Sequence, residues 1–93
     1  MKTIWKFDLD PSGGDIIEID VPHGARVLSA GVQRQGFVVW AAVDPQSPPV
    51  PHRFAVHGTG HLVPDVTASA KLINTVFTEP LVFHVFDLGE VSQ

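Results

Sequence analysis

The chain contains no cysteine. That absence removes disulfides, zinc sites built on thiolate and thiol catalysis. Basic side chains are also few. Six Lys and Arg stand against ten Asp and Glu, a formal net charge of −4, whereas a protein that grips phosphate backbones carries a basic excess or stripe. Nucleic acid is therefore not an expected partner. No apolar run approaches the ~18 residues of a membrane-spanning helix. The opening Met1-Lys2-Thr3 leads into an amphipathic segment and does not read as a signal peptide. No membrane partner is expected, and the expected location is cytoplasmic. Helical periodicity, heptads and internal repeats are missing too.

What is present is enough for one core. Ninety-three residues, 44% of them hydrophobic, with a mean hydropathy of +0.18, predict a single folded domain over residues 1–93 and not a disordered chain. The apolar residues recur with a period of two. In residues 3–9, Thr3, Trp5, Phe7 and Leu9 share one side, which predicts a half-buried strand with its aromatic face inward. The run Asp10-Pro11-Ser12-Gly13-Gly14 supplies turn chemistry, and residues 15–21 follow with Ile17, Ile19 and Val21 on one face. That spacing reads as a hairpin.

Residues 26–34 form a further strand, in which Gly31 marks a bulge or a close backbone approach. A turn at Gln35-Gly36 leads into residues 37–43, apolar on both faces: Phe37, Val39, Ala41 and Val43 oppose Val38, Trp40 and Ala42. A strand of that kind needs cover on both sides, and a second copy of the chain is the economical cover for so short a protein. Half of the eight prolines lie in residues 44–51, a surface loop. Strands are expected again at 52–59, 69–77 and 81–88, with a loop at 62–67 and a frayed tail from residue 89. A helical turn at 68–72 competes with the β-branched residues that follow. Seven short strands with Gly and Pro punctuation predict an all-β fold, an antiparallel sandwich or a small barrel.

Five histidines are the first candidates for chemistry. His57 and His61 are four apart, but on an extended strand that spacing separates them by ~13 Å, too far to share a metal. No carboxylate stands at a familiar ligand spacing from either, so no metal is assigned. His84 lies between Phe83 and Val85 and reads as a satisfied core or interface residue. Gly58-Thr59-Gly60-His61 is the most informative local signal. Glycines beside a hydroxyl and an imidazole let backbone N–H groups approach an anion, although the plainer reading is a tight corner. Arg53 is the arginine of most interest, because Ala55, His57 and Thr59 share its strand face. Trp40 could stack on a base. No serine has a nucleophile-elbow context, so no catalytic residue and no cofactor is assigned. A hydrolase reading would require His57 and His61 to converge with Asp44 or Asp65.

Several blocks stand in order: Thr3-Ile4-Trp5-Lys6-Phe7, Gly24-Ala25-Arg26-Val27-Leu28-Ser29, Trp40-Ala41-Ala42-Val43-Asp44-Pro45, Gly58-Thr59-Gly60-His61 and Val82-Phe83-His84-Val85-Phe86. Together they resemble a family of short, uncharacterised tailed-phage proteins, over residues 3–86. The resemblance brings no activity. It implies a phage-encoded accessory protein acting in the bacterial host cytoplasm, where capture of a host protein or signalling molecule is common. The expectation is a non-enzymatic homo-oligomer that sequesters a small anionic, nucleotide-like ligand. Its site would comprise Arg53, His57, Gly58, Thr59, Gly60 and His61, with Trp40 stacking. The alternative is a protein–protein module that inhibits a host protein or assembles with phage components, using the 45–51 loop as a contact.

Overall fold

The alternating apolar segments form seven strands in the computed structural model, which describes residues 1–34 and 36–91. They are β1 (Thr3–Leu9), β2 (Ile16–Pro22), β3 (Arg26–Gln33), β4 (Gly36–Val43), β5 (Pro49–Gly58), β6 (Lys71–Thr78) and β7 (Leu81–Glu90). All pairings are antiparallel. They give a three-stranded sheet in the order β1-β4-β3 and a four-stranded sheet in the order β2-β5-β7-β6. Two separate sheets make this a sandwich and not a barrel.

The core is what the period of two selects. Leu9, Ala30 and Val39 from one sheet meet Ile17, Phe54, Val56, Val76 and Val85 from the other, and Val21, Ala41 and Val43 extend the packing. Phe37 and Phe83 join the layers edge to face, with centroids 5.0 Å apart. Burial of side chains of this size contributes about 1.5–3 kcal/mol each. Between β3 and β6, Asn74 Nδ2 donates to the Ala30 carbonyl at 3.0 Å, a polar tie between the sheets.

The hairpin expected of the first two strands does not form. Pro11–Gly13 makes a 3₁₀ turn, with Asp10 accepting from the Ser12 N–H at 3.0 Å. The chain then crosses to the other sheet: β1 pairs with β4 and β2 with β5. Alternation fixes which face is buried but not which strand lies alongside. Placing Leu9 and Ile17 on facing sheets buries both in one core. The aromatic face of β1 is only partly inward, because Trp5 is exposed at the edge of the sheet while Phe7 is half-buried.

The two-faced apolar strand β4 is central in its sheet, as expected, but part of its outer cover is internal. Trp40 lies across Gly31, so close that a Cβ there would stand 3.2 Å from the indole. Lys6 Nζ reaches Gln33 Oε1 at 2.8 Å over the same face. Val38 is buried. The turn expected at Gln35-Gly36 falls partly outside the described residues, since Gln35 is not among them; Gly36 already pairs with Gln33.

Strand β5 starts inside the proline-rich loop. Pro49 and Pro51 pair with β2, and β7 joins β5 only at His52, so these prolines sit where β5 is locally an edge and needs no second row of N–H donors. The loop expected at 62–67 gives way to a short helix, α1 (Asp65–Ala68), and β6 begins at Lys71 after Ser69 and Ala70. The tail is not frayed at residue 89, because β7 runs to Glu90 and the Val91 N–H donates to the Pro51 carbonyl at 2.9 Å. Residues 92 and 93 lie outside the described set. Among the described residues, no helix is long and apolar enough to cross a membrane.

Candidate functional site

Strand β5 sets the geometry. Phe54 and Val56 face the core, so Arg53, Ala55 and His57 face outward from the four-stranded sheet, as the period of two predicts. They do not form an open row. Ala55 and His57 are buried, His57 beside Phe86 of β7 and Asp15, and topology brings the next segment to this side of the sheet. Because β7 lies between β5 and β6, the connection through residues 59–70 must cross β7. It crosses on the outer side, where Pro64, Val66, Thr67 and Ala70 face Ile16 and Arg53 across a groove of about 490 Å³. Leu88, Gly89, Glu90 and Val91 form its third wall. Arg53 Nε donates to Glu18 Oε1 at 3.0 Å, an exposed pair set by the β2–β5 register.

The second feature is the corner after β5. The His61 N–H donates to the Gly58 carbonyl at 3.1 Å, and Gly60 turns the chain with φ +89°, a conformation open to glycine. Gly58 serves differently: the His61 ring lies on it, within 3.0–3.4 Å of where a Cβ would stand. Thr59 looks across to β7. Its N–H donates to the Val82 carbonyl at 3.0 Å, and its hydroxyl lies 2.8 Å from His84 Nε2. His84 Nδ1 is held by Thr75 Oγ1 at 3.0 Å, which fits the satisfied role expected of it. Gly58, Thr59 and His61 line a second cleft of about 490 Å³ with Pro80, Leu81, Val82 and Phe83.

The seven candidate residues therefore do not converge. Arg53 lines one groove and Gly58, Thr59 and His61 another, with Gly60 in the turn between Thr59 and His61. His57 is sealed off. Trp40 lies on the outer face of the other sheet, over Gly31, because the even-numbered residues of β4 point away from the core. It cannot stack on a ligand held by Arg53 within one chain.

A sequence family described as a domain of unknown function (DUF7352) matches residues 1–93. The chain belongs to that family. No curated protein and no solved structure matches it.

Two further pairs in the DUF7352 domain escaped sequence reasoning. His52 is buried at the inner end of β5, stacked on Phe54 with centroids 4.7 Å apart, and its Nε2 meets Asp87 Oδ1 at 2.7 Å. His23 Nδ1 meets Glu90 Oε1 at 2.7 Å, while the Gly24 N–H donates to Glu90 Oε2 at 2.7 Å. Burial pushes the Asp87 carboxyl up, but the hydrogen bonds from His52 and the Gly89 N–H, with the charges of His52 and Lys71, outweigh it and hold it below its usual range. The Gly24 N–H and His23 hold Glu90 low as well, against a smaller effect of burial. These pairs join residues 35 and 67 positions apart, so no local pattern announces them. Among the described residues, His57 and His61 do not converge with Asp44 or Asp65. The carboxylate beside His57 is Asp15, at 3.6 Å, while Asp44 caps its own turn and Asp65 opens α1. Among the described residues, no three His, Asp or Glu side chains are grouped to hold a metal.

Proposed function

We propose that this protein is a non-catalytic binder that sequesters a small ligand, nucleotide-like in size and carrying an anionic group, in the groove beside Arg53. The observation that supports this reading is the lining of the groove. Its one basic side chain is Arg53, set among Ile16, Pro64, Val66 and Leu88. Glu18 holds Nε and so orients the guanidinium fork, whose terminal nitrogens have no protein partner among the described residues. The one carboxylate of the lining, Glu90, is already engaged by Gly24 and His23. An anion placed there gains charge-assisted hydrogen bonds, and apolar walls take the rest of the ligand. The resemblance to phage proteins favours a host signalling molecule as the cargo.

Native mass spectrometry of gently purified protein, then of protein mixed with a panel of mononucleotides and dinucleotides, tests the reading. A stoichiometric extra mass is expected, and Arg53→Ala should weaken its retention at least tenfold while the protein stays folded. Unchanged retention in a folded variant would remove Arg53 from the site.

A second reading, an interaction module, rests on a different observation. Phe77 is 70% and Leu81 57% exposed where β6 turns into β7, and Leu81 lines the second cleft. An apolar pair presented this way suits a protein surface, including a second copy of the chain.

A further inference from the structure

We infer that residues 62–70 form a lid, and that the Arg53 groove continues beneath it to the His57 imidazole and the Thr67 hydroxyl; this rests on the ligand reading of that groove. Three observations carry it. First, the polarity of the segment is inverted. Leu62 and Val66 are 96% and 74% exposed, while Thr67 is 0% exposed. Second, polar groups in the segment and on the outward face of β5 are unsatisfied, the carboxylate of Asp15 stopping 3.6 Å from His57 Nδ1. Thr67 Oγ1 and both ring nitrogens of His57 are buried without a protein hydrogen-bond partner. Buried polar groups in folded proteins are nearly always paired, so each unpaired one asks for an explanation. Third, beyond the corner where Thr59 is bonded to β7, residues 62–70 are not tied down. The Ala68, Ser69 and Ala70 N–H groups donate within that segment, to Pro64, Asp65 and Thr67, and Ser69 Oγ donates to Val66. Among the described residues, no hydrogen bond joins residues 62–70 to either sheet.

A segment with its bonds internal, Leu62 and Val66 exposed and Thr67 buried but unpaired can lift as a unit about Gly60. Lifting uncovers donors that a ligand can satisfy. Arg53 and His57 are four residues apart on one strand face, roughly 13 Å. A bare phosphate cannot reach both. A nucleotide-sized or dinucleotide-sized molecule can, with its anion at Arg53 and a hydrogen-bonding end at His57 and Thr67. The lid residues then close over it, which makes this a site that envelops its ligand.

The wild-type protein contains its own control. His57 and His52 are equally inaccessible, 2% and 3% exposed, but His52 is clamped to Asp87 beneath no lid. Diethylpyrocarbonate modification, mapped by mass spectrometry, should reach His57 at least tenfold faster than His52. Because the chain lacks cysteine, the thiol of Thr67→Cys gives a second readout. It should react with a disulfide reagent at a rate insensitive to low urea, as sub-global opening requires, and far faster than the thiol of Val39→Cys in the core. Equal rates for the two histidines, with both thiols reacting only at the rate of global unfolding, would overturn the lid. These readouts need no ligand, so they fail independently of the Arg53 test. A dinucleotide retained in the native spectrum should slow His57 modification; retention with His57 still reacting at the free rate would confine the ligand to the outer groove.

Discussion

Asp87 shows how much one side chain can hold. Its carboxylate accepts from His52 and from the Gly89 N–H, at 2.7 and 2.9 Å, and so fixes the last turn of β7 against the start of β5. Its pKa is lowered on folding. The stability it contributes is therefore complete above the unfolded carboxylate range, about 4, and is lost as pH falls through the lower folded value. Asp87→Asn should cost about 1–3 kcal/mol at neutral pH, the usual range for a buried polar partner left unsatisfied. The gap to wild type in urea unfolding should narrow as pH drops below about 4. A gap that stays constant with pH would mean that shape, and not charge, makes the contact. At this scale the sequence was partly legible. The outward row of Arg53, Ala55 and His57 and the close approach at Gly31 follow from the period of two and from a missing side chain. The partners of His23 and His52 do not, because hydrogen bonds between distant residues leave no local trace.

Elements were legible in kind more than in partner. All seven expected strands appear, since burying one face requires alternation, although β5 starts at Pro49 inside the expected loop and β6 at Lys71. The identity of the neighbour depends on which pairing buries two faces together, and that is a property of the whole core. Hence β1 and β2, adjacent in the chain and separated by good turn residues, lie in different sheets. The connection between β5 and β6 has no periodicity, and its sequence alone predicts a loop. Only the strand order, with β7 between the two, makes it a cover, and the cover is what divides the candidate residues into separate sites.

At the scale of the whole molecule, the exposed Phe77 and Leu81 at the turn between β6 and β7 are apolar surface that a second copy could cover. If this surface joins two copies, sedimentation should show concentration-dependent association in the wild type. Phe77→Asp should abolish it and leave the melting temperature nearly unchanged, because a side chain 70% exposed adds little to the core. A wild type that sediments as a monomer throughout would exclude self-association through Phe77.

The strand order also governs how the molecule is made. Among the described residues, only β3–β4 and β6–β7 are sequence neighbours that pair; β1 must wait for β4, matching Thr3 with Val43. Closing a longer loop costs more entropy before any contact rewards it. The two hairpins therefore nucleate, and the strands translated first are incorporated last. Kinetic φ-values should be near zero for Leu9→Ala in β1 and clearly higher for Val85→Ala in β7; equal values would mean the sheets form together. Until β4 and β5 emerge, Trp5 and Ile16 have no partner strand, and the nascent chain is at its most aggregation-prone during that interval.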